Sequence, residues 1–184
     1  MNSILPFDEL SRLEESWRLE FGDGPLPKGR EEDIIDELLD LFLLAYATGN
    51  RVTNQNLSYD YEPNLNEVME TVDEETAGES WRERVRHWFD IGGSAGDIIR
   101  IAETETHRIA NDSAIRAAKR AGATEKTWVT MMDDRVREQH EWLEGVTVGI
   151  DDEFISPDGD RAQAPGLFSL PQNNINCRCE LIFS

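Results

Sequence analysis

Two cysteines, Cys177 and Cys179, stand one residue apart near the end of a chain that has no others. On a strand, residues at this spacing point the same way, with Cβ atoms about 6–7 Å apart. They can offer two thiolates to one zinc, although tetrahedral zinc more often takes C-x2-C from a turn. His140, with Asp133 and Asp134 shortly before it, adds an imidazole and carboxylates in a segment able to fold back over a closing strand. The candidate metal set is therefore His140, Cys177, Cys179 and Asp133, with zinc as the candidate cofactor. Two buried thiols beside a histidine that ties a loop by hydrogen bonds is the other reading of the same residues. A redox-sensitive pair is the third, although a C-x-C disulfide is geometrically awkward.

Arg135, Arg137 and His140 form a second cluster, with Asp133 and Glu138 between and around them. These side chains suit an ion-pair network that orders the long loop over 151–176. A phosphate or nucleotide pocket is the alternative. Against it, the run Gly92–Gly93–Ser94–Ala95–Gly96 lacks the Lys-Ser/Thr that completes a P-loop. Glu103 and His107 are four apart on one helix face, but no H-E-x-x-H accompanies them. Glu105 falls on the apolar stripe of that helix, so it needs a partner, for which an arginine of the 135–137 segment is expected. The structural network then comprises Glu105, Arg135, Arg137, Asn176 and Arg178. No nucleophile–base–orienter set is evident, and no enzyme class rises above background.

The elements that must position these groups are mostly helical. Pro6 opens an amphipathic helix through Phe7, Leu10, Leu13 and Trp17. A Gly/Pro-rich linker over 22–29 separates it from a helix over 31–47, which begins with Glu31, Glu32 and Asp33 and ends near Gly49–Asn50. After a polar, turn-rich stretch over 50–64, helices are expected over 64–77 and 79–90. Ser94 and Asp97 have capping-box spacing and start a long helix that runs up to Gly122. Beyond it, Thr127–Met131 and Thr147–Ile150 read as strands, 133–143 as a turn and short helix, and 151–176 as a wandering loop. Residues 177–183 alternate like a closing strand. The fold class is α+β: an N-terminal helical region, then a long helix and a small mixed α+β domain with a short C-terminal strand. The division is 1–90, helical and acidic, suited to docking on a partner, and 91–184, α+β.

The 184 residues carry a formal net charge of -20. The first 79 hold 20 acidic and 5 basic side chains, so most of the excess lies in the helical half. Neither half offers the basic field that non-specific binding to a phosphate backbone requires, so direct DNA binding is disfavoured, a local patch at Arg82, Arg84 and Arg86 aside. The acidity serves solubility or an electropositive partner. No apolar run reaches the roughly 18 residues of a membrane span, and the N-terminus has no basic segment of a signal peptide. Cytoplasmic synthesis is expected.

From about Trp81 to Phe183, some 55% of the chain, the sequence resembles the phage head morphogenesis domain, the family of Mu F-like minor head proteins. The resemblance is carried by Ile101–Ala102–Glu103–Thr104–Glu105–Thr106, Asn111 and Gly122 through Trp128, then Thr130, Asp133 through His140 and Leu143–Glu144–Gly145. It closes with Pro171 and Asn176–Cys177–Arg178–Cys179. Glu103 departs from the pattern, which often has arginine there. In some relatives a C-x-x-C arrangement stands where this chain has Arg137 and His140, which implies His140, Cys177 and Cys179 as metal ligands. The resemblance implies a minor head protein acting in head assembly at the portal, and in DNA packaging or ejection. Its implied partners are the portal protein and the scaffold or major capsid protein. Its implied location is the capsid interior or portal vertex of the virion, with the host cytoplasm during assembly. It implies a structural role rather than an enzyme. The alternatives are a phage-encoded nuclease or ADP-ribosyltransferase-like enzyme, and a zinc-stabilised adaptor.

Overall fold

Amphipathic periodicity turns into helices that bury one face each. The computed structural model describes residues 3–76 and 78–184. Helix α1 (Phe7–Phe21) buries Leu10, Trp17 and Phe21, and the Trp17 indole donates to Glu37 at 2.6 Å on the next helix. Helix α2 (Glu31–Asn56) does not stop at Gly49–Asn50 but continues for another turn and a half. The expected terminator is a packing device. A Cβ on Gly49 would strike the Ala110 carbonyl oxygen of the long helix α5 (Ala95–Arg120), so glycine here lets two helices of 26 residues cross at backbone contact. Replacing Gly49 by alanine is expected to destabilise the protein by about 1–3 kcal/mol through overpacking, despite a helix-propensity gain of about 1 kcal/mol. A lower urea midpoint at unchanged slope would report it.

Short helices α3 (Leu65–Val72) and α4 (Trp81–Ile91) close over this pair. Helix α3 starts on an Asn64 side-chain cap and ends earlier than the expected residue 77; Ala77 lies outside the described residues. Capping boxes start α4, at Ser80 and Glu83, and α5, at Ser94 and Asp97. Buried on nearly all sides, α5 carries residues from Ile98 to Ala114 into the helical core and Ile115 into a second, smaller one. No described helix is long and apolar enough to cross a membrane.

That second core lies under a three-stranded antiparallel sheet, β1 (Glu125–Val129) between β2 (Thr147–Gly149) and β5 (Glu180–Phe183). Trp128 faces Leu181 across the β1–β5 ladder. The segment expected to wander from 151 to 176 instead contains a small ladder, β3 (Phe154–Ile155) with β4 (Arg161–Ala162), and a helical turn, α7 (Pro171–Asn174). Helix α6 (Glu138–Glu141) carries His140 inward. The architecture is thus α+β, largely helical first and with a small mixed region near the C-terminus.

Candidate metal centre and the buried ion network

Cys177 and Cys179 lie just before β5 rather than on it, and both are buried. Their backbone is held from two sides. Cys177 N–H donates to Asn174 O at 3.0 Å, and the buried Asn111 amide of α5 donates to Cys179 O at 3.1 Å. From the opposite side α6 brings in His140, whose ring stacks on Phe168 and meets Trp128 edge-on. This packing aims Nδ1 at both sulphurs, 3.6 Å from Cys177 Sγ and 3.5 Å from Cys179 Sγ. The three donor atoms lie within 4.8 Å of one another.

Bond lengths of about 2.3 Å to sulphur and about 2.0–2.1 Å to nitrogen at a tetrahedral angle put S and N about 3.5–3.6 Å apart. The observed separations match, so the cluster is geometrically compatible with metal coordination. His140 Nε2, on the far side of the ring, is buried without a hydrogen-bond partner. Hydrogen bonding from the Cys179 thiol, opposed by burial and helped by His140, draws Cys177 below the ordinary thiol range. The same contact together with burial pushes Cys179 up.

Asp133 stands outside this cluster. Arg178 grips its carboxylate with two hydrogen bonds, of 2.9 and 2.6 Å, and this pairing lowers the Asp133 pKa. The expected network of Arg135 and Arg137 with Asp133 and Glu138 is replaced by other contacts. Arg137 donates to the carbonyls of Gln172 and Ile175, holding the end of the long loop through backbone rather than through a carboxylate. Arg135 has no ion pair among the described residues. Asn176 supplies a left-handed turn, with φ 57°, immediately before the cysteines.

Glu105 is fully buried, but its partners are Arg84 at 2.5 Å and Arg108 at 2.6 Å, not an arginine of the 135–137 segment. The geometric reason is that Glu105 faces α4 and the 71–74 corner, where Arg108 also reaches Thr71 O at 2.9 Å and Glu74. The basic patch at Arg82, Arg84 and Arg86 is likewise engaged by Asp73, Glu105 and Glu32. His107 is buried against Phe7, and burial holds it neutral, with a pKa pushed down to about 4. Glu105 lines a cleft with the α3–α4 corner, whereas Arg135 and His140 line a separate, smaller one.

Two groups were not among the residues expected from the sequence. Asp160, in the turn Ser156–Pro157–Asp158–Gly159–Asp160, accepts from Ser169, Leu170, Arg161 and Asn173 and so pins α7 to the β3–β4 ladder. Burial opposes its ionisation, yet these donors hold its pKa down to about 2. Lys126 shares the inner face of β1 with Trp128. Its Nζ donates to Gln163 at 2.7 Å, and burial lowers its pKa to about 8. A polar residue alternating with a tryptophan was the available hint.

Residues 64–182 match the family described as Phage Mu protein F like protein. The chain belongs to this family. Among curated proteins, the chain is similar to the minor head protein GP7 of Bacillus phage SPP1, at 36% identity over 86 residues, covering 45% of this chain and 28% of that protein. It is also similar to the NAD(+)–arginine ADP-ribosyltransferase EFV of Enterococcus faecalis (strain ATCC 700802 / V583). There the identity is 28% over 144 residues, covering 75% of this chain and 29% of that protein. The chain thus spans under a third of the length of either relative. No solved structure matches it. The family match takes in α3 to β5 and so includes Glu105, Asn111, His140 and both cysteines.

Proposed function

We propose that this chain acts as a minor head protein of a tailed phage or prophage, a structural and non-catalytic part of head assembly at the portal vertex. The family match over its C-terminal two-thirds, together with the similarity to the SPP1 minor head protein, carries this reading. The partners would be the portal protein and the scaffold or major capsid protein, in the host cytoplasm during assembly and in the virion afterwards. The acidic helical half would meet a basic face of the partner, which speeds encounter and selects against wrong partners. His140, Cys177 and Cys179 would hold a zinc ion whose part is to staple α6 to the segment before β5, with no catalytic step. The enterococcal relative's activity is not carried over, because the family that residues 64–182 match is described by a phage protein.

The test is co-expression with the portal protein of the same genome, followed by native mass spectrometry. A stable complex is expected, and its association should weaken as salt is raised from about 50 mM to about 500 mM, where exposed charges are screened. Absence of any complex at low salt would overturn the portal assignment. A complex indifferent to salt would remove the acidic half from its recognition.

A further inference from the structure

A cleft of about 380 Å³ opens between the α3–α4 corner and the loop over 166–175, with Glu105 and Arg108 at its floor. Gly166 makes the approach possible: its φ is +86°, and a Cβ there would come within 3.0 Å of Arg108 Cα. Leu167, Phe168, Pro171 and Ile175 form an apolar wall. The facing rim is acidic. Glu105 and Glu74 are paired with Arg84 and Arg108, whereas Glu75 and Glu79 have no ion pair among the described residues. With four carboxylates against two guanidinium groups, the cleft carries net negative charge. Deeper in, Thr104 lines the cleft at 9% exposure, and its hydroxyl has no hydrogen-bond partner.

We propose that this cleft receives an arginine side chain presented by a protein partner. An apolar and aromatic wall opposite two free carboxylates suits a methylene stem ending in a planar, weakly hydrated guanidinium better than a compact ammonium. The stem lies along Leu167, Phe168 and Ile175, and the guanidinium donates to Glu75 and Glu79. The site is distinct from the cysteine cluster and does not depend on which protein carries the arginine.

The experiment is a ¹⁵N NMR titration of the full chain with acetyl-Gly-Arg-Gly-amide, in parallel with the same peptide bearing citrulline, which keeps the shape and loses the charge. Saturable shifts are expected at the amides of residues 74–79 and 166–175. The citrulline peptide and the Glu75→Gln/Glu79→Gln variant should each weaken binding by about tenfold or more. Both glutamates are exposed, so the variant's remaining spectrum should be unchanged. Shifts scattered over the acidic surface, equal binding of citrulline, or no saturation would each overturn the proposal. A failed portal complex would leave it standing.

Discussion

Chelation of zinc-loaded protein is expected to lower its melting midpoint by roughly 8–16 °C. The size follows from linkage: a metal held at a free concentration a thousandfold above its dissociation constant contributes about 4 kcal/mol. For a chain of this size each kcal/mol is worth roughly 2–4 °C. The ligands are 37 and 39 residues apart in sequence, so the ion would add a long-range tie between α6 and the segment before β5 to those that Arg137 and Arg178 already make. His140→Ala and Cys177→Ser should each melt low and show no further drop with chelator. Asp133→Ala should retain the chelator response, because its carboxylate belongs to Arg178. Identical melting with and without chelator, after loading with zinc, would sink the metal reading and leave the cluster as buried thiols beside a histidine.

Removing the charge at Glu105 is expected to cost about 3–5 kcal/mol, since the buried Arg108 loses its nearer carboxylate and keeps only the half-exposed Glu74 at 3.3 Å. Arg108 is 1% exposed, so water cannot replace the lost carboxylate. Total stabilities run at about 5–15 kcal/mol, which makes this a third or more of the whole. Urea unfolding of Glu105→Gln at neutral pH measures it. The double variant Glu105→Leu/Arg108→Met should recover much of the loss, because a buried pair is worth little against well-packed apolar side chains. If the single variant were as stable as the parent, the network would not be holding α4 and the 71–74 corner to α5. The pH dependence has a definite sign. Burial alone would raise the Glu105 pKa, but Arg108 and Arg84 overcome it and hold the group below its ordinary 4.5. Its folded-state pKa is therefore the lower one. The stability it contributes is complete above the unfolded value and is lost as pH falls below about 4.5. Asp160, with its pKa near 2, adds to the same acid limb and sharpens unfolding between about pH 4 and 2.

Several parts of this architecture could be read directly from residue order. The apolar periodicity of α1 and α2, the Ser94–Asp97 capping box and the β-branched run before Met131 are local signals, set within one or two turns of chain. The candidate ligands were legible for a similar reason: thiols and imidazoles are scarce in this chain, with two Cys and three His. Where the reading failed, the deciding contact lay far away in sequence. Gly49 has the look of a helix terminator, and only the crossing with Ala110 makes it an interior residue. The segment from 151 to 176 lacks periodicity because its order comes from one carboxylate, Asp160, satisfying donors up to 13 residues away.

The sequence by itself determined the helical front, the α+β tail, the acidic charge and the chemical types available at the cysteine cluster. Each of these depends on composition or on short-range spacing. Tertiary structure alone decided the partners. It gave Glu105 to Arg84 and Arg108, Asp133 to Arg178, Arg137 to two carbonyls, and His140 to both sulphurs. The reason is physical: a buried charge or donor must be satisfied by whichever group the packing of helices brings within about 3 Å, and residue type alone does not carry that distance.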